Sequence, residues 1–66
     1  MKISINGEES VIEEPFSISA LIAQRKINPE AVVVEYNGVI INCRDWETVL
    51  LKEKDRLEIV SFAGGG

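Results

Sequence analysis

The stretch that decides the fold is EKDRLEIVSFAGGG, residues 53–66. It opens with polar residues typical of a turn. The alternation that follows predicts a strand with Leu57 and Ile59 on one face and Val60 and Phe62 on the other. Glycine is the residue most costly to order, so the three glycines at 64–66 predict a flexible tail over residues 63–66. The folded domain is therefore expected over residues 1–62.

Two Asn-Gly pairs, at 6–7 and 37–38, each separate two apolar runs. Asn-Gly is the strongest short hairpin signal because both turn positions need a positive φ. The runs that they join are KISI (2–5) with EESVI (8–12), and AVVVEY (31–36) with VII (39–41). In the first hairpin a two-residue turn leaves Val11 facing outward, so a longer turn or a bulge stays open as an alternative.

FSISALIAQRK, residues 16–26, predicts a helix between the hairpins. Ser17 suits the N-cap position. Arg25 and Lys26 are expected in the last turn, where the helix dipole favours cations. Three apolar residues share the face that would cover the sheet: Ile18, Leu21 and Ile22. The order is thus β–β–α–β–β–β, an α+β fold with the first and last strands near the sheet centre.

Composition limits the classes of function. The 66 residues allow one domain, and a single cysteine allows no internal disulfide. The net charge of −4 disfavours nucleic acid, because affinity for phosphate comes mainly from lysine and arginine. The sequence shows neither a signal peptide nor a long apolar segment. We therefore expect a cytoplasmic protein that binds neither nucleic acid nor membrane.

The chemistry of a stand-alone enzyme is poorly supported. With no histidine, Ser-His and Cys-His nucleophiles and Cys/His metal sites are excluded. No glycine-rich loop opens a helix, so no nucleotide-binding fingerprint exists. The acidic pairs Glu8–Glu9 and Glu13–Glu14 cannot converge on one ligand, because neighbouring strand residues face opposite sides. A solvated edge is the favoured interpretation, and no metal site is expected.

Two single residues carry competing interpretations. Cys43 is interpreted as a small apolar filler behind the VII strand, with a sulfur-handling nucleophile as the alternative. A helical turn is expected near it, around Arg44–Glu47. Trp46 is interpreted as closing the end of the core, with a partner-binding anchor as the alternative.

The glycine tail has a physical advantage besides its mobility. Without side chains it can thread a narrow channel and present a carboxylate inside another protein's site. That carboxylate is a poor electrophile until it is activated, for example as an acyl-adenylate. From the residues alone, a working tail and a frayed end both stay open.

The whole chain resembles the ThiS family of ubiquitin-like sulfur carriers. The resemblance lies in five pieces: ISING (3–7), FSISALI (16–22), VVVEYNGVII (32–41), Trp46 and EKDRLEIVSFAGGG (53–66). The last piece, with Asp55 before the strand and glycines after it, is the most specific. The resemblance implies a β-grasp fold, with a mixed sheet of four to five strands and one helix packed across one face.

The resemblance also implies a mechanism. A ThiF-like adenylyltransferase would use ATP to adenylate Gly66, and sulfur from a cysteine desulfurase would convert it to a thiocarboxylate. That sulfur would pass to a ThiG-like thiazole synthase in thiamin biosynthesis. Gly64 and Gly65 would thread the partner's channel. The partner-binding patch is predicted from the residues instead: if the helix covers the face of Leu57 and Ile59, then Val60 and Phe62 are exposed and form that patch. The alternative is that one of the two packs under a loop. The chain would be a protein cosubstrate rather than an enzyme and would bind no cofactor itself.

Two alternatives stay open beside this function. The same tail and fold serve carriers of other pathways: the small subunit of molybdopterin synthase, cysteine biosynthesis and tRNA thiolation. A different class is a non-catalytic ubiquitin-like interaction module, or a modifier joined to lysines.

Overall fold

The computed structural model of the protein describes residues 1–62. The strands are β1 (Lys2–Ile5), β2 (Glu8–Val11), β3 (Val32–Tyr36), β4 (Val39–Ile41) and β5 (Arg56–Ser61). The helix α1 spans Ile18–Gln24, and two short 3₁₀ turns span Pro29–Ala31 and Cys43–Asp45. The predicted element order is confirmed, with the turn expected around Arg44–Glu47 beginning one residue earlier. Within residues 1–62, none of the helical segments is long and apolar enough to cross a membrane.

The five strands form one mixed sheet in the order β2-β1-β5-β3-β4. The first and last strands run parallel to each other, and the remaining pairs are antiparallel. The last strand lies at the centre and the first lies beside it, as the sequence predicts. The chain therefore leaves its described part from the middle strand of the sheet.

Both hairpins turn on their Asn-Gly pairs. Asn6 and Gly7 have φ of 52° and 85°, and Asn37 and Gly38 have φ of 50° and 89°, as a two-residue turn of this kind requires. Ile5 lies opposite Glu8, which confirms the two-residue turn of the first hairpin. Val11 faces outward as that register demands.

The start of α1 is as predicted and its end is not. The Ser17 hydroxyl accepts a hydrogen bond from the backbone N–H of Ala20 at 3.0 Å, which confirms the N-cap. The helix ends at Gln24, so the placement of Arg25 and Lys26 in the last turn is wrong. Lys26 has a φ of 57° and its N–H bonds to the carbonyl of Ala23, which closes the helix one turn before the Asn-Pro pair.

One apolar core lies between α1 and the sheet. The predicted helix face is buried, and Trp46 is 4% exposed with its indole N–H donating to the carbonyl of Ile41 at 3.0 Å. Trp46 therefore closes the end of the core, as predicted. The buried apolar residues are Ile3, Ile5, Ile12, Ile18, Leu21, Ile22, Val34, Trp46, Leu51 and Leu57.

The interpretation of Cys43 as a core filler is wrong, because its side chain is exposed. Strand β4 ends at Ile41, and the Asn42 side chain caps the next turn by accepting from the N–H of Arg44 at 3.1 Å. This turn carries Cys43 to the surface, while Trp46 enters the core. The two acidic pairs are exposed, as expected of a solvated edge.

Candidate functional site: the end of the central strand and the open sheet face

The start of β5 is fixed by a buried carboxylate. Asp55 is 5% exposed, and its Oδ2 accepts from the Tyr36 hydroxyl at 2.8 Å and from the Lys52 N–H at 2.7 Å. Its Oδ1 accepts from the side-chain amide of Asn37 at 3.1 Å. Burial, and then the hydrogen bond and negative charge of Asp55, raise the pKa of Tyr36 to about 12. Asp55 thus ties the strand that leads to the tail to its neighbour β3.

The two turn asparagines hold β5 from both sides. Asn6 accepts from the Ile59 N–H at 2.7 Å and donates to the Ile59 carbonyl at 3.2 Å. Asn37 accepts from the Arg56 N–H at 2.8 Å. The asparagines of these turns therefore adopt a positive φ and also hydrogen-bond to the backbone of β5. Sequence reasoning found the turns but not these contacts, which join residues far apart in the chain.

The last described residues, 60–62, lie alongside the beginning of β3. Val60 and Ser61 pair with Val33 and Val32, and the Phe62 N–H donates to the carbonyl of Ala31 at 3.0 Å. The backbone is thus hydrogen-bonded to the neighbouring chain segment as far as Phe62, the residue directly before the predicted tail. The expectations for that tail, including the roles of Gly64, Gly65 and Gly66, lie outside the described residues.

The sheet face opposite α1 exposes a group of apolar side chains beside this exit. Val60 is 57% exposed and Phe62 is 58% exposed, which confirms the predicted exposure of both; the alternative, one of them packed under a loop, is wrong. Val33 lies directly opposite Val60, and Ile40 lies one strand further out. We call Val33, Ile40, Val60 and Phe62 the sheet-face patch. Isolated exposed apolar residues are ordinary, but a contiguous group indicates an interaction surface.

Two members of the sheet-face patch were missed from the sequence. Alternation along β3 separates Val33 from Val32 and Val34, but without the register of β3 on β5 it cannot be joined to Val60. Ile40 belongs to the patch because β4 pairs Ile40 with Glu35 on the same face. The alternation of β3 together with its pairing to β5 is the signal that would have found them.

Charged side chains adjoin the sheet-face patch. Glu35 of β3 lies directly opposite Glu58 of β5, and Arg56 lies two residues before Glu58 on the same face. Among residues 1–62, no group of three or more histidine, cysteine, aspartate or glutamate side chains is placed to hold a metal ion. The arrangement that is present, an apolar surface with acidic neighbours beside a chain exit, suits contact with another protein.

A helix across one face of a mixed sheet, with the first and last strands parallel at its middle, defines the ubiquitin-like β-grasp class. Within this class, the chain belongs to the ThiS family, whose family model matches residues 2–66. It is thus a small sulfur carrier protein of thiamine biosynthesis rather than a catalyst.

The chain is also similar to a solved structure and to several relatives. The chain is 29% identical to the thiamine biosynthesis protein ThiS of Geobacter metallireducens, whose crystal structure superposes with a TM-score of 0.86 over the whole of both chains. It is 34% identical to the protein ycf40 of Trieres chinensis, over 94% of this chain and 85% of that protein. It is 36% identical, over its whole length, to part of the thiazole synthase of Magnetococcus marinus. The chain spans only 20% of that much longer relative.

Proposed function

We propose that this chain carries sulfur as a thiocarboxylate on Gly66 and delivers it to a thiazole synthase. The observation that carries the proposal is the family match through residue 66, on a fold whose central strand ends at Ser61, three positions before the first of the glycines. The similarity of the whole chain to part of a thiazole synthase supports the identity of the acceptor. When a domain and an enzyme are joined in one chain in a relative, the same two units are expected to bind each other where they are separate chains.

The chemistry needs a second protein to activate the tail. A ThiF-like adenylyltransferase joins the Gly66 carboxylate to the AMP of ATP, and pyrophosphate leaves. The terminal sulfur of a cysteine desulfurase persulfide attacks the acyl carbon, and AMP leaves in turn. A thiol reductant then releases the thiocarboxylate. This product is an anionic nucleophile, suited to attack an electrophilic intermediate on the synthase.

The chain itself contributes positioning. The hydrogen bonds accepted by the side chains of Asn6, Asn37 and Asp55 hold β5 in place, and the sheet-face patch lies beside its end. Gly66 lies four positions after Phe62, a length of chain that spans at most about 14 Å when fully extended. A partner that docks on the patch must therefore have its reactive site within that distance. The length of chain between Phe62 and Gly66 thus limits how far the docking surface can lie from the reactive site.

The test is tandem mass spectrometry of the intact protein after incubation with ATP, the adenylyltransferase and a sulfur source. We expect sulfur in place of one oxygen on Gly66, and its loss when thiazole synthase and its substrates are added. A Cys43→Ala variant is the control, because the exposed thiol also takes up sulfur reagents. An unmodified Gly66 in the presence of an active partner would contradict the proposal and favour the interaction-module alternative.

The variant Gly65→Ala tests the narrow channel. The buried core is built from residues between Ile3 and Leu57, so thermal unfolding should match the wild type. The rate of adenylation should fall by at least roughly tenfold, the effect of a small steric misplacement in an active site. Appending two residues after Gly66 is a second control, since it leaves the fold intact and removes the reactive carboxylate. Normal adenylation of Gly65→Ala would show that slimness at this position is not required.

A further inference from the structure

The open face of the sheet carries a like-charge pair. Glu35 and Glu58 lie directly opposite each other on β3 and β5, with their side chains on the same side as the sheet-face patch. Like charges in directly opposed positions destabilise a sheet. Arg56 lines the same shallow surface depression, so a single cation faces two carboxylates. The triplet keeps a net negative charge at the centre of an otherwise well-paired strand.

The two glutamates lie next to the sheet-face patch. Val60 follows Glu58 by two residues, and Ile40 lies directly opposite Glu35, so the carboxylates adjoin the sheet-face patch on two sides. Any protein that covers the patch removes water from the pair. An uncompensated carboxylate is costly to bury, and a partner offsets this cost most directly by supplying a cation. The acidic residues thereby select among the surfaces that fit the apolar ones.

We propose that the partner bound on this face sets an arginine between Glu35 and Glu58, while its apolar side chains cover the sheet-face patch. Arginine fits better than lysine, because its planar fork of donors can bond two carboxylates at once. We assign this surface to thiazole synthase, and in that assignment the inference rests on the proposed function. The opposition of the two carboxylates does not depend on that assignment, because it follows from the register of the sheet.

The test is the affinity of the unactivated chain for purified thiazole synthase, measured by calorimetry at low and high salt without ATP. Glu35→Gln/Glu58→Gln should bind at least roughly tenfold more weakly at low salt, with a flatter salt dependence. Glu13→Gln/Glu14→Gln is the matched control, since it makes the same change in charge at an exposed site outside this face. The control should bind within about twofold of the wild type.

A folding measurement separates recognition from structure. Because the substitution removes a like-charge pair, Glu35→Gln/Glu58→Gln should unfold at the same denaturant concentration as the wild type or at a higher one. Unchanged affinity, an equal loss in the control variant, or a lower unfolding midpoint would each overturn the inference.

The outcome is separable from that of the proposed function. If the thiocarboxylate forms but the chain has no affinity for the synthase, this inference is contradicted and the carrier chemistry stands. If Glu35→Gln/Glu58→Gln selectively loses binding but no thiocarboxylate forms on Gly66, this inference is supported and the carrier chemistry is contradicted.

Discussion

The two faces of β3 and β5 are built from alternate residues of the same strands and differ sharply. Toward α1, Val34 and Leu57 are fully buried in the core. Toward the open side, the same strands present Val33, Val60 and a pair of opposed glutamates. The first face has the composition of a protein interior, and the second combines exposed apolar side chains with charged ones. One strand pair thus carries the core on one side and the proposed docking surface on the other.

The largest expected effect tests the stability side. Leu57→Ala should lower the free energy of unfolding by about 2–5 kcal/mol, because it removes a fully buried side chain from a small core. Val60→Ala, three residues away on the other face, should lower it by less than about 1 kcal/mol. Denaturant unfolding followed by the fluorescence of the single tryptophan, Trp46, measures both. Equal losses from the two variants would erase the contrast between the faces.

The next effect tests the recognition side. Phe62→Ser should leave the unfolding midpoint close to that of the wild type, because its side chain is already mostly in water. The same variant should bind the adenylyltransferase or thiazole synthase at least roughly tenfold more weakly, as loss of an apolar anchor does. Leu50→Ser, another exposed apolar residue, is the control and should bind normally. Normal binding by Phe62→Ser would show that Phe62 is not part of the docking surface.

The smallest effect lies at the end of β3, on the face of Val34, where Tyr36 bonds to Asp55. The pKa of Tyr36 is raised to about 12 from 10.0, so between these pH values the unfolded chain binds fewer protons than the folded one. The stability contributed by neutral Tyr36 is therefore complete below about pH 10 and is lost as the pH rises toward about 12.

Tyrosinate absorbance measures this pKa directly, because the chain contains one tyrosine. The folded protein should titrate near 12 and the urea-unfolded chain near 10. Asp55→Asn should bring the midpoint partway down, since burial remains after the charge is removed. A folded protein that titrates like the unfolded chain would show that Tyr36 is open to water.

Much of the fold followed from local signals. The Asn-Gly turns require a backbone conformation that few other pairs adopt, and Ser17 meets a donor only three residues away. Such signals are complete within a short window of sequence. The error at Lys26 is of the opposite kind, because a lysine in the left-handed region carries no local signature and glycine is the usual residue there.

The site was less predictable because it depends on register. The exposure of Val60 and Phe62 followed from alternation along one strand. Their joining to Val33 and the opposition of Glu35 and Glu58 depend on how β3 aligns with β5, and more than twenty residues of chain separate the members of each pair. Cys43 was misplaced for a related reason, since the length of β4 decides where the chain turns outward.

The central position of β5 has a consequence for how the protein is made. The sheet consists of two hairpins, β1–β2 and β3–β4, and only the last strand joins them. During synthesis both hairpins are made before β5, and an isolated hairpin is marginally stable at best. The domain therefore completes its fold only when the residues next to the tail emerge. A nascent chain cut short before β5 would lack both the fold and the glycines that follow it.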